Sequence, residues 1–208
     1  MLKKIKEKIL NIINNIRYKL NTNEYEYKHG KIYFNQGDNF WQKYDFADDK
    51  PKANACGPFA LAMALSIILK KYVNPLELMK FAENGYYEPE GNYSPDGVYN
   101  PSGTSWEFFE AYSKTLGIKV VEMEPNEEEF LKARKENKLV ILSQTPRLDG
   151  YWVKDGGHYI LVIGEENIVG EEKKYIVLDS GSRKNTDKTH TLHEVFMPCK
   201  RMWIFENE

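Results

Sequence analysis

Cysteine is scarce in this chain: Cys56 and Cys199 are the only two among 208 residues. A fold held by several disulfides is therefore excluded, and two free thiols are expected, which suits a reducing compartment. No apolar run reaches the roughly 18 residues that a membrane-spanning helix needs, and no secretory signal peptide is recognisable. A net charge of −2 provides no overall basic surface for nucleic acid. These absences favour a globular cytoplasmic protein that does not bind nucleic acid.

The N-terminus is the one segment with a strong charge imbalance. Its first 20 residues carry six basic side chains and one acidic side chain. Three- and four-residue steps separate its apolar positions, which predicts one stripe along a helix: Leu2, Ile5, Ile9, Ile12, Ile16 and Leu20. We expect residues 1–24 to form a basic amphipathic helical appendage and residues 25–208 to form the main domain. Packing on the protein or a neighbour is the favoured role of this helix, while contact with a membrane surface and oligomer formation stay open alternatives.

Helix-type patterns concentrate in the first two thirds of the main domain, and strand-type runs in the last third. Helices are predicted at 57–72, 75–84, from a cap at Thr104 or Ser105 to about 116, and from a cap at Asn126. Strands are predicted at 31–34, 118–123, 139–143, 158–164, 174–180 and 201–205. The segment 85–103 reads as a long loop with no element of its own. This arrangement predicts an α+β fold with a mainly antiparallel sheet.

Cys56 lies directly before the apolar run of ANACGPFALAMALSIILKK, residues 53–71. A helix N-terminus favours the thiolate, which is the nucleophilic form of cysteine, and Gly57 beside it leaves room for a substrate carbonyl. Cysteine is also a common buried small hydrophobe. The helix alone therefore leaves open whether Cys56 is a nucleophile or part of the core.

A thiol nucleophile needs a base, and the base needs an orienting group. His158 opens the apolar run HYILVIG behind Gly156 and Gly157, and Asp179 ends the next run, KYIVLDS. If these runs pair as a hairpin, His158 and Asp179 lie near the same end of the sheet, where the carboxylate can fix the tautomer of the imidazole. A turn-forming role for Asp179 before Ser-Gly stays open.

The other cysteine and histidines have structural interpretations. His190-x-x-His193 with Cys199 matches no strong zinc-ligand spacing, so no metal is expected. His29 is expected to be solvated in a polar linker, and Cys199 is expected to be structural.

Five motifs together resemble one known family. They are YFNQGDNFW (33–41), ACGPFALAMAL (55–65), GTSWEFF (103–109), GGHYILVIG (156–164) and VLDS (177–180). The chain resembles a papain-like cysteine peptidase, most closely the family related to the bacteriocin-processing, double-glycine-leader peptidases. The resemblance spans roughly residues 31–205 and implies a papain-like α+β fold, with the nucleophile at a helix N-terminus packed on the sheet.

The resemblance also implies roles for individual residues. Cys56, His158 and Asp179 would form the triad, and Gln36 would stabilise the oxyanion together with the backbone N–H of Cys56. Gln42 is the competing glutamine. Gly57 and Gly157 are expected to line the substrate site.

The function expected is that of a thiol hydrolase that cleaves a peptide or isopeptide bond in a peptide or protein substrate, without a cofactor. Two alternatives remain: a catalytically silent peptide-binding module on the same fold, and an acyl-transferring variant of the transglutaminase type. Selective alkylation of Cys56 would separate the enzyme from the silent module.

Overall fold

A computed structural model describes residues 24–88, 92–93, 99–100, 103–146, 151–153, 156–167 and 172–206; for 88, 92–93 and 99–100 it describes the backbone alone. The predicted N-terminal helix lies outside the described residues apart from Glu24. Among the described helices, none combines the length and the apolar character needed to cross a bilayer.

The described helices are α1 (Pro51–Asn54), α2 (Cys56–Ile68), α3 (Pro75–Glu83), α4 (Glu107–Thr115), α5 (Glu127–Lys135), α6 (Arg183–Thr186) and α7 (Leu192–Phe196). The described strands are β1 (Glu26–Lys28), β2 (Lys31–Tyr33), β3 (Tyr87–Glu88), β4 (Asn92–Tyr93), β5 (Tyr99–Asn100), β6 (Gly103–Thr104), β7 (Val120–Met123), β8 (Val140–Gln144), β9 (His158–Glu166), β10 (Lys174–Leu178), β11 (Thr189–Thr191) and β12 (Cys199–Phe205).

A six-stranded sheet in the order β11-β10-β9-β8-β12-β7 carries the domain, and each neighbouring pair in it is antiparallel. The hairpin expected from the two apolar runs is present, because β9 pairs with β10 with Leu161 opposite Leu178. The first residue of β9 and the residue after β10 are therefore near each other at one end of the sheet. The α+β class and the antiparallel sheet predicted from the sequence are confirmed.

Both faces of the sheet are covered, which follows from the alternation of apolar residues along its central strands. Tyr159 and Leu161 of β9 belong to a core shared with α2, α3 and α4, whereas Ile160 and Val162 belong to a second core that includes side chains of α5 and α7. The first core contains α2, whose residues 56–66 are all buried. The buried helix α2 packs directly against β9, the strand that begins at His158.

The structure corrects the sequence at two places before α4. Thr104 or Ser105 was the expected cap, but α4 begins at Glu107 and its cap position is Trp106. Thr104 is paired with Tyr87 between β3 and β6, and the backbone N–H of Ser105 donates to Tyr86 O at 2.8 Å. The segment 85–103, expected to lack elements, contributes to two short antiparallel pairs, β3 with β6 and β4 with β5.

Candidate active site

The N-terminus of α2 presents Cys56 as the first residue of a 13-residue helix. Pro51 begins the preceding turn, α1, and the backbone of Ala55 links the two helices by donating to Pro51 O at 3.0 Å. The first turn of α2 contains no acidic side chain. The backbone N–H groups of this turn have no partner within the helix and give its N-terminus a partial positive charge, which no acidic side chain of the turn offsets. Cys56 lies at this end of the helix. The cysteine is recessed, with 8% of its surface exposed.

His158 stands between Cys56 and Asp179. Its Nε2–H donates to Asp179 Oδ1 at 2.7 Å, and Cys56 lies close enough to the ring to contribute to the shift of its pKa. Because Nε2 is occupied by the carboxylate, Nδ1 is the ring nitrogen left for the sulfur. The structure thus brings together three of the side chains singled out in the sequence.

The charges around the ring determine its protonation. Burial acts to lower the pKa of His158, but the negative charge of Asp179 and hydrogen bonds with Asp179 and Cys56 outweigh burial and raise the pKa to about 10. Burial likewise acts to raise the pKa of Asp179, but His158, Asn185 and the N–H of Gly181 bring it below its usual value. Both shifts favour an imidazolium beside an ionised carboxylate at neutral pH.

The carboxylate of Asp179 is fully buried and accepts hydrogen bonds on both oxygens. Oδ1 also accepts from the backbone N–H of Gly181 at 2.8 Å, and Oδ2 accepts from Asn185 Nδ2 at 2.9 Å. The backbone of the same residue is fixed by Tyr33, whose hydroxyl donates to Asp179 O at 2.8 Å. A buried ionised carboxylate is tolerated only when it is satisfied in this way.

Gln36 is held beside the same corner of the sheet. Its Oε1 accepts from Ser180 Oγ at 2.7 Å, which leaves its amide nitrogen on the opposite side, toward α1. There Nε2 donates to Lys52 O at 2.9 Å, with Pro51 O at 3.3 Å. An amide nitrogen has two hydrogens, so the Lys52 bond takes one and the longer Pro51 contact competes weakly for the other.

Gln42, the alternative glutamine, lies behind Gln36. Its Nε2 donates to Gln36 O at 2.6 Å, so its amide supports the backbone of Gln36. Asp38 of the same loop is paired with Arg183 through both carboxylate oxygens, at 2.6 and 2.7 Å. These bonds attach the Gln36 loop to the segment that follows Asp179.

The glycines of the site are close to neighbouring atoms. A Cβ on Gly57 would stand 2.7 Å from Thr104 Oγ1 and 2.8 Å from Thr104 Cβ, so the absence of a side chain lets α2 pack on β6. Gly157, half-buried, directly precedes His158. A Cβ on Gly181 would stand 3.1 Å from His158 Cε1, so Gly181 leaves room for the imidazole.

Groups that could hold a metal are not found: in the described part of the chain, no three His, Cys, Asp or Glu side chains converge as a ligand set. Both cysteines are free, and Cys199 is only partly exposed. Burial raises the pKa of the Cys199 thiol to about 12.

Several residues around Asp179 were not singled out by the sequence. Ser180, Asn185 and His190 are buried polar residues near Asp179, and the sequence suggests for His190 only a weak zinc-ligand pattern. The signal that could have found Ser180 and Asn185 is their position in a polar segment that follows the apolar strand β10.

No protein-family model matches this sequence, and no curated protein matches it. Among solved structures, the chain is similar to the peptidase domain of Streptococcus ComA, a bi-functional ABC transporter involved in a quorum sensing pathway. The TM-score is 0.50 and the sequence identity is 14%, and the match covers 75% of this chain and 93% of that chain. It is also similar to a Bacillus anthracis protein described as a C39-like peptidase, with a TM-score of 0.48 at 16% identity, covering 74% of this chain and 89% of that chain. The likeness to the ComA domain confirms the resemblance at the level of the fold, which is papain-like.

Proposed function

We propose that the protein is a thiol-dependent hydrolase that cleaves a peptide or isopeptide bond, with Cys56 as nucleophile. The observation that carries the proposal is the bond from His158 Nε2 to Asp179 Oδ1, which leaves Nδ1 for a sulfur at the N-terminus of a buried helix. The peptidase fold supports the same class of reaction without fixing it.

In the first half of the reaction, the proton shared by Cys56 and His158 resides on Nδ1, and the thiolate attacks the carbonyl carbon of the substrate. A C–S bond forms, and the carbonyl π electrons move to the oxygen. The backbone N–H of Cys56 and one amide hydrogen of Gln36 stabilise this oxyanion; Gln36 gives up its weak contact with Pro51 O to do so.

The tetrahedral intermediate then collapses, and the C–N bond breaks. Nδ1–H of His158 protonates the leaving amine, so the imidazole becomes neutral and the acyl group stays on sulfur. A water molecule next gives one proton to Nδ1 and adds to the thioester carbonyl. Collapse of the second intermediate releases the carboxylic acid and restores the thiolate beside the imidazolium.

Asp179 keeps its charge throughout this cycle. It orients the ring by accepting from Nε2–H and stabilises the imidazolium that each half-reaction uses. Ser180 acts on the other partner, since its hydroxyl fixes the Gln36 amide with the nitrogen on the side of α1. The two residues that follow β10, Asp179 and Ser180, thereby act on the base and on the oxyanion donor respectively.

The test is alkylation by iodoacetamide across pH, followed by peptide mapping. Cys56 should be alkylated at near-neutral pH, well below the pH at which an ordinary thiol, with a pKa near 8.5, reacts. Cys199 is the internal control, because its pKa of about 12 keeps it protonated under the same conditions. Equal and slow labelling of the two thiols would contradict the proposal and favour the silent peptide-binding module.

Alkylation does not separate hydrolysis from acyl transfer, because both use the same thiolate. Incubation with a peptide library and an added primary amine makes the distinction by mass. Hydrolysis predicts free carboxyl products, whereas a predominance of amide adducts would reassign the protein as an acyltransferase.

A further inference from the structure

His190 is a fully buried histidine that the proposed reaction does not use. Its Nε2 lies 2.8 Å from Asn185 O and its Nδ1 lies 2.8 Å from the hydroxyl of Tyr151. The ring also packs on Trp152, with the two ring centroids 4.7 Å apart. A residue kept only for its apolar bulk would not be bonded at both nitrogens.

The contact of Nε2 with a carbonyl oxygen determines the tautomer of the neutral His190 ring. A carbonyl oxygen only accepts, so Nε2 carries the hydrogen and donates to Asn185 O, and Nδ1 accepts from the Tyr151 hydroxyl. Burial lowers the pKa of His190, which keeps the ring neutral. The charged groups that face it are Lys188, Glu194 and Asp179.

Asn185 connects this histidine to the proposed active site. Its backbone carbonyl is held by His190, and its side-chain Nδ2 donates to Asp179 Oδ2 at 2.9 Å. Asn185 lies in the short helix α6, whose own N-cap is Ser182. The position of the carboxylate that orients His158 thus depends on a residue that His190 fixes.

Tyr151 and Trp152 connect the same histidine to the other side of the site. They precede His158 along the chain and are anchored on β11 and α7: Tyr151 bonds His190, and Trp152 Nε1 donates to Glu194 O at 2.8 Å. His190 therefore contacts Tyr151, which precedes His158 in the chain, and Asn185, which bonds the Asp179 carboxylate.

We propose that His190 is a positioning residue: its neutral imidazole ties Asn185 to Tyr151 and so holds Asp179 in register with His158. The catalytic importance of this role rests on the proposed function. The positioning itself does not, because it concerns only how firmly the Asp179 carboxylate is held against the His158 imidazole.

The test compares His190→Phe with His190→Gln by NMR titration of the His158 ring. Phenylalanine keeps a ring against Trp152 but removes both hydrogen bonds, whereas glutamine retains one donor and one acceptor. His190→Phe should lower the pKa of His158 by about one unit, since a displaced carboxylate gives up part of the shift that an adjacent opposite charge produces. His190→Gln should restore at least half of that difference.

A merely structural histidine would give a different result. Thermal melting of both variants would fall, but the pKa of His158 in His190→Phe would equal that of the unsubstituted protein, and this outcome overturns the proposal. Should His190→Phe fail to fold, the ¹⁵N shifts of His190 in the unsubstituted protein decide: hydrogen on Nε2 alone is expected, and hydrogen on Nδ1 refutes the bridge.

The alkylation of Cys56 separates this claim from the proposed function. A protein whose Cys56 shows no preferential alkylation refutes the hydrolase, while the His158 titrations still report on positioning. Preferential alkylation together with an unmoved His158 pKa in His190→Phe refutes the positioning role alone.

Discussion

Replacing Asp179 by asparagine is the perturbation for which the structure gives the clearest magnitude. The side chain keeps its size but loses the charge that raises the pKa of His158. It also meets donors on both sides, because Oδ1 accepts from His158 and Gly181 while Oδ2 accepts from Asn185. Whichever way the new amide turns, its NH₂ group faces a donor, and at least one hydrogen bond is lost.

The expected shift follows from the charge. An opposite charge in contact changes a pKa by about 1–3 units, so the pKa of His158 should fall from about 10 to about 7–9 in Asp179→Asn. At about 1.4 kcal/mol per unit, the imidazolium loses roughly 1–4 kcal/mol of stabilisation. His158 then stays protonated over a narrower pH range, so alkylation of Cys56 at pH 8 should slow by up to about 10-fold, the value that corresponds to a His158 pKa of about 7.

Stability should change with pH in a related way. The folded pKa of His158 lies above its unfolded value of 6.5, so its contribution to stability is complete below pH 6.5 and is lost as the pH rises through about 10. In Asp179→Asn this loss should be smaller and should occur at lower pH. Urea unfolding at several pH values between 6.5 and 10 measures the difference directly.

A double variant separates charge from hydrogen bonding. The variant that combines Asp179→Asn with Asn185→Asp has an acceptor opposite the new amide. Its negative charge, however, lies on the next side chain out, further from the imidazole. Stability should recover more than the pKa of His158 does. The reasoning is refuted if the single variant leaves the His158 pKa and the alkylation rate unchanged, because Asp179 would then not be the source of the shift.

Three further substitutions are predicted to have separable effects. Gln36→Ala should lower kcat/KM for amide hydrolysis by about 10²–10³ but leave alkylation unchanged, since alkylation forms no oxyanion; equal losses in both assays would contradict the role. Gly181→Ala should slow alkylation, because its Cβ would stand 3.1 Å from His158 Cε1; an unaltered rate would count against this role of Gly181. Gly57→Ala should destabilise the protein by about 1–3 kcal/mol through its 2.8 Å approach to Thr104 Cβ, and unchanged urea unfolding would show that this contact relaxes freely.

Strong local patterns made much of the fold predictable. The broad apolar surface after Cys56 predicted a buried helix, and α2 is buried along most of its length. The runs that begin at His158 and end at Asp179 predicted the hairpin that carries them. Asn126 was expected to cap a helix, and its Oδ1 accepts from Glu129 N at 3.1 Å. In each case nearby residues suffice to determine the element.

Elements fixed by distant contacts were not predictable. The segment 183–196 forms α6, β11 and α7, yet its composition is polar and gives no clear period. Asn185 and His190 are buried because they bond Asp179 and Tyr151, respectively. No local sequence pattern links either residue to its partner. Periodicity identifies apolar faces, whereas a buried polar residue is recognised only through its partners.

The orientation of the Gln36 amide could not be predicted from the sequence either, because it too depends on a distant partner. The resemblance favoured it over Gln42, but the direction of its amide depends on Ser180, far along the chain. Gln42, which is closer to Cys56 in sequence, bonds the backbone of Gln36. Which of the two glutamines turns its amide nitrogen toward α1 is therefore a property of tertiary structure.

Cleavage of a peptide library by the unsubstituted protein and by Cys56→Ala, read by mass spectrometry, tests the central claim most directly. Products with new carboxyl termini should form with the unsubstituted protein and be absent with Cys56→Ala, and a Cys199→Ala control should retain the activity. Equal cleavage by Cys56→Ala and the unsubstituted protein would contradict a mechanism that depends on this thiol.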